Sequence, residues 1–118
     1  MTKCIFRKVK FPLLIETDNR VAAVRSGVQL DKTTNLDQFT TKKFYKAIDS
    51  TGKRWDYYPE MDALSPLTFD KRWSKVKIIQ FYNEHRINNN CIEFVGKSLS
   101  NKRLEQVIKE IVEFDLRQ

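Results

Sequence analysis

Leu104, Val107, Ile108, Ile111 and Val112 recur at helical spacing near the end of the chain, and most positions between them are charged or polar. A helix with one apolar stripe must bury it against another layer, so the rest of the sequence has to supply a complementary surface. The pattern predicts a helix over 100–117 with Ser100 as its N-cap and Glu105 to Lys109 as an i, i+4 ion pair.

That surface is predicted to be a sheet. In Ala47-Ile48-Asp49-Ser50-Thr51-Gly52-Lys53-Arg54-Trp55 a polar turn ending in glycine separates two aromatic-rich runs. Asp49 is suited to bond the turn backbone and Gly52 to take positive φ, which predicts strands at 42–49 and 53–59. A rival helix over 36–48 has Leu36 and Phe39 at helical spacing but leaves Lys43 on its apolar face.

Val76-Lys77-Ile78-Ile79-Gln80-Phe81-Tyr82 is rich in β-formers and predicts a strand over 75–84. Arg86-Ile87-Asn88-Asn89-Asn90 reads as a loop into a further strand, Cys91 to Val95, which ends at Gly96. Cys4–Lys10 and Leu13–Glu16 read as extended segments on either side of Pro12, which marks a bulge or an exposed edge and hence a route to homodimers. Thr17-Asp18-Asn19 is a turn, and 21–28 is open to a strand or to one to two helical turns, with the strand preferred. Ser65-Pro66 predicts a short helix over 66–73 that places Phe69 and Trp73 on one face. The sum is an α+β fold: an antiparallel sheet of five to six strands built from hairpins, with the C-terminal amphipathic helix packed on one face.

The chain of 118 residues, 41% of them hydrophobic, reads as a single domain over 1–118 that needs neither disulfides nor metal to fold. It contains no apolar run of the roughly 18–20 residues needed to span a bilayer. Its start lacks a secretory apolar region, so a cytoplasmic, non-membrane protein is expected. Cys4 and Cys91 are then expected to be small buried hydrophobes.

No catalytic set emerges. The lone histidine, His85, sits in a polar stretch without a nucleophile or an orienting partner placed beside it. Ser98 and Ser100 have no nucleophile-elbow context. Cys4, His85 and Cys91 lack zinc-ligand spacing, and Glu60 and Asp62 around Met61 read as a solvated pair. With no phosphate-cradling glycine motif either, the expectation is a binding protein without enzymatic activity, cofactor or metal.

Net charge is +7, and two segments carry all of it: residues 1–16, with four basic and one acidic side chain, and residues 42–86, with ten basic and six acidic. Within the second, the tripeptide Lys-Arg-Trp occurs twice, at Lys53-Arg54-Trp55 and Lys71-Arg72-Trp73. Two readings compete. Trp55 and Trp73, with Tyr57 or Tyr58, would stack on bases while Lys53, Arg54, Lys71, Arg72, Lys75 and Lys77 track phosphates. On a strand, however, Arg54 faces away from Trp55 and Lys53, so the tripeptide does not act as one patch. Alternatively, the same aromatics and cations, with Pro59 and Met61, form a protein-binding surface for an acidic partner, which is the preferred reading.

Across Phe11-Pro12-Leu13-Leu14-Ile15-Glu16, Ile48-Asp49-Ser50-Thr51-Gly52-Lys53-Arg54-Trp55, a basic strand and an amphipathic C-terminal helix, the chain resembles small uncharacterised bacterial accessory proteins. These occur in mobile gene cassettes and beside polymorphic toxins, where some serve as immunity proteins. The resemblance implies a non-enzymatic protein that binds another protein or itself, and it carries over no catalytic residue.

Overall fold

The computed structural model describes residues 2–34, 38–67, 71–84 and 94–117. It contains six strands, β1 (Lys3–Cys4), β2 (Leu13–Glu16), β3 (Val21–Val24), β4 (Tyr45–Ile48), β5 (Arg54–Tyr58) and β6 (Ala63–Pro66). Three helices accompany them, α1 (Gly27–Thr34), α2 (Lys75–Glu84) and α3 (Leu104–Leu116). The strands form one sheet in the order β1-β6-β5-β4-β2-β3, antiparallel throughout except for β1 beside β6. The α+β architecture and the C-terminal helix packed on the sheet are those the sequence predicts.

Both faces of the sheet are covered, which explains why all four residues of β2 are buried rather than every second one. Leu14 points to one side, where Val21, Ala23 and Ile48 join Ile78, Phe81 and Tyr82 of α2 and Val107, Ile108, Ile111 and Val112 of α3. Leu13 and Ile15 point to the other, where Ala22, Val24, Ala47, Trp55 and Leu64 pack beneath Val9 and Leu30. Each fully buried Leu or Ile contributes about 1.5–3 kcal/mol relative to exposure, so the two layers together hold the sheet between them.

Several local expectations are overturned. Residues 75–84 are a helix, not a strand. Ile78, Phe81 and Tyr82 fall at i, i+3 and i+4 and enter the same core as α3, and this tertiary burial outweighs the β-propensity of Val76, Ile78 and Ile79. Ser74 starts the helix, its Oγ accepting from Lys77 N at 3.2 Å and its carbonyl from Ile78 N at 3.1 Å.

Pro66 ends β6 instead of opening a helix. Leu67 N donates to Arg54 O at 3.1 Å, so by alternation the Pro66 nitrogen lies on the side away from β5. On that side β1 reaches only Ala63 and Leu64, so no ladder bond is lost to the proline. Trp73 is accordingly not helical; Phe69, His85, the predicted loop over 86–90 and residues 91–93 lie outside the described residues, and Phe94 to Gly96 form no strand.

The predicted strand over 21–28 stops at Val24, and α1 follows. Gln29 N donates to Ser26 Oγ at 3.3 Å and Leu30 N to Ser26 O at 2.9 Å, so Ser26 caps a helix that takes over the end of this stretch. Ser100 does not cap α3. It lies in a short 3-10 turn, Leu99–Asn101, and α3 begins after Arg103 without a side-chain cap. The predicted Glu105–Lys109 pair is present at 3.7 Å on the solvent side.

Pro12 does not mark a sheet edge, because β2 lies between β4 and β3. The edges are β1 and β3. At β3 no residue is more than 5% exposed, since α1 and α3 both pack against it. The rival helix over 36–48 is replaced by β4 in its C-terminal part, where Tyr45 and Ala47 face the core and Lys46 faces out.

Candidate functional site

Most of the cations and aromatics singled out from the sequence are engaged inside the protein. Trp55 is 0% exposed and its indole Nε1 donates to Asp49 Oδ2 at 3.0 Å, while Trp73 is 6% exposed and lies edge-on to Phe81. Neither ring offers a face for stacking, which corrects the view of the two tryptophans as platforms. Lys53 Nζ donates to Leu67 O at 2.6 Å and Lys75 Nζ to Leu99 O at 2.5 Å, so both lysines close loops. Arg54 pairs with Asp56 at 3.1 Å, and the Lys77 ammonium lies 4.3 Å from the centre of the Trp73 ring. Tyr57 is buried, and Tyr58 packs beside the exposed Phe44. Of that group, Lys71 and Arg72 remain exposed without such a contact.

Topology nevertheless brings the two basic segments together. The C-terminal ends of β1, β3, β4 and β6 and the N-terminal ends of β2 and β5 share one end of the sheet. The β4–β5 turn projects there and binds both segments, Ser50 N donating to Lys10 O at 3.1 Å and Trp73 N to Gly52 O at 2.9 Å. Arg7, Lys8 and Lys10 thus stand on one side of the turn, and Lys71 and Arg72 adjoin it on the other. Among the described residues none of these five forms an ion pair; Arg20, Arg25, Lys42, Lys102 and Lys109 do, and Lys32, Lys43, Lys46 and Lys97 do not. Of the acidic residues at this end, Asp49 is buried and committed to the turn and to Trp55, and Glu113 is paired with Arg25.

The opposite end holds two acids that are tied down, Asp18 and Asp62, beside the exposed Glu60. Asp18 accepts from Thr40 N and Oγ1, from Thr41 N and Oγ1 and from Tyr45 Oη. Partial removal from water raises its pKa, but the donors from Thr41, Tyr45 and Thr40 outweigh that and hold the carboxyl well below its ordinary value. Asp62 Oδ1 accepts from Thr2 Oγ1 at 2.8 Å and Tyr57 Oη at 2.9 Å. Burial, with this bond to a carboxylate, pushes the Tyr57 phenol above its ordinary range. Asp62 is therefore a structural pin rather than half of a solvated pair with Glu60. Among the described residues no group of three His, Cys, Asp or Glu is placed to hold a metal ion.

Two features at the N-terminal segment were not legible in the sequence. Arg7 N donates to Ile5 O at 2.8 Å across Phe6, whose φ is 68°, forming a tight three-residue γ-turn of the strained hand. This turn leaves Phe6 89% exposed, beside the unpaired cations. Behind it, an open cleft of about 670 Å³ lies between the segment and α1, with Val9, Phe11 and Leu30 in its lining and Lys3 and Lys8 among its cations. Cys4, expected to be buried, is exposed and also lines this cleft. The charge of residues 1–16 was the available signal; the display of Phe6 depends on a backbone conformation that no residue type at positions 5–7 announces.

No helix among the described residues is long and apolar enough to cross a membrane. The chain matches no protein-family model, no curated protein and no solved structure.

Proposed function

We propose that the chain is a non-enzymatic binding protein that docks the basic end of its sheet onto an acidic surface of a partner protein. The observation that carries this reading is Phe6, an exposed aromatic held in a strained turn among cations that lack internal partners. A positive-φ backbone at a bulky residue costs about 1–3 kcal/mol, and a solvent-facing ring returns none of it through packing. A partner that buries Phe6 supplies the missing contact, and an acidic rim complements Arg7, Lys8 and Lys10. The burial of Trp55 and Trp73 weakens the nucleic-acid alternative by removing its stacking platforms. The immunity-type role implied by the resemblance, taken up in the cytoplasm, is one partnership of this kind.

The test compares wild type with a Phe6→Ser/Arg7→Glu/Lys10→Glu variant in capture from the native host, beside titration of labelled single- and double-stranded oligonucleotides. Salt-sensitive capture of one protein by wild type, lost in the variant, is the expected result. Oligonucleotide binding lost in the same variant would replace this reading with the nucleic-acid one. Capture unchanged by the variant would remove the basic end from the account.

A further inference from the structure

We infer that the cleft between the N-terminal segment and α1 is a binding site for a medium-chain carboxylate, an apolar body with one anionic head. The volume of about 670 Å³ falls in the range of small-molecule sites, and the lining combines apolar walls with a few polar groups. Val9 and Leu30 belong to the core beneath Trp55 and Tyr45, with Phe11 packed against it, so the apolar lining is fixed by the sheet and is preformed. An alkyl chain laid on these residues is removed from water at both surfaces.

The head group follows from the charges. Lys3 and Lys8 line the cleft, are exposed, and form no ion pair among the described residues. The acid in the lining, Asp31, has one carboxylate oxygen already accepting from Thr2 N at 2.9 Å, which turns it toward the backbone of the segment. Lysine stems are long enough to lie along apolar surface while the ammonium meets an anion at the rim, where a charge-assisted hydrogen bond forms. A neutral ligand of the same shape would leave both ammonium groups without a partner.

Gly27 supplies an independent handle. It lines the cleft, and a Cβ built on it meets nothing within 4 Å, so the space over the first turn of α1 is empty. A large side chain there enters the cleft without pressing on the fold. Cys4, in the lining and exposed, reports occupancy through its reactivity.

The experiment titrates the intact chain with octanoate and, separately, with octan-1-ol, reading heat of binding and the alkylation rate of Cys4 by peptide mass. Octanoate is expected to bind saturably and to slow Cys4 alkylation, and octan-1-ol to bind about tenfold more weakly for want of the charged head. Gly27→Trp should abolish both effects without lowering the melting temperature. Lys8→Gln, an exposed change that keeps the fold, should weaken octanoate and leave octan-1-ol unaffected. Absence of saturable binding, equal affinity for acid and alcohol, or binding undisturbed by both variants would overturn the assignment. Protein capture is read separately through Phe6, Arg7 and Lys10, which do not line the cleft and which the capture variant changes while leaving Lys8 in place.

Discussion

Asp49 and Trp55 are joined across the β4–β5 turn. The indole Nε1 donates to Oδ2 at 3.0 Å, while Oδ1 accepts from Thr51 N at 2.9 Å, Thr51 Oγ1 at 2.6 Å and Lys53 N at 3.1 Å. One buried carboxylate therefore closes the hairpin and fixes the largest side chain of the core. Asp49→Ala leaves the indole N–H and the turn amides without acceptors and should cost about 2–4 kcal/mol in urea unfolding. A loss below about 0.5 kcal/mol would mean that water replaces the carboxylate.

The repeated Lys-Arg-Trp tripeptide serves two different structural ends. Trp55→Phe orphans an oxygen of Asp49, but Trp73 Nε1 is buried with no hydrogen-bond partner, so Trp73→Phe removes an unsatisfied donor. Trp55→Phe should be the more destabilising of the two by about 1–2 kcal/mol. Equal losses in paired denaturation curves would contradict this division. Acrylamide should quench native tryptophan fluorescence poorly in both single-tryptophan variants, because both rings are buried.

Gly52 and Gly27 should respond in opposite ways to alanine. Gly52 has φ +80°, and a Cβ there would stand 2.3 Å from Leu104 Cδ2 and 3.1 Å from Trp73 O, the second a backbone atom. Gly52→Ala is expected to cost about 1–3 kcal/mol through strain and the displaced contact. Gly27→Ala, in the first turn of α1 and facing open space, should raise stability by up to about 1 kcal/mol. Thermal melts of the two variants decide it, and a stable Gly52→Ala protein would refute the geometry of the turn.

Phe6→Gly should stabilise the free protein by about 1 kcal/mol while abolishing partner capture, since glycine accepts φ 68° without a Cβ penalty and the ring makes no core contact. A destabilised Phe6→Gly protein would show that the ring packs internally, and would remove the argument that the turn is kept for binding.

Asp18 gives the fold a pH dependence of known sign. Its folded pKa is depressed below the ordinary 3.8, so its contribution is complete above that value and is lost as pH falls through it toward the folded value. Urea midpoints of the wild type should therefore decline more steeply below about pH 4 than those of Asp18→Asn. Parallel declines would show that the threonine and tyrosine donors do not hold the charge. The NMR titration of the Asp18 carboxyl should show its midpoint displaced to lower pH.

Local chemistry was enough where a segment's own period and turn residues agree. The stripe Leu104, Val107, Ile108, Ile111 and Val112 specified α3, and Asp49 with Gly52 specified the β4–β5 hairpin, because helix periodicity and positive-φ glycine act within a few residues. Two further signals lay in the sequence but were not read: Ser74 ahead of Ile78, Phe81 and Tyr82 for α2, and Ser26 with Gln29 for α1. Tertiary structure alone decided the rest. Whether Val76 to Tyr82 winds or extends depends on a core assembled with α3, and whether Pro66 can end a strand depends on β1 stopping short beside it. The two basic segments, separated by twenty-five residues of chain, meet only because the β4–β5 turn hydrogen-bonds to Lys10 on one side and Trp73 on the other. Charge counts are properties of the chain, but a binding surface is a property of the contacts that bring its charges to one place and leave them unpaired.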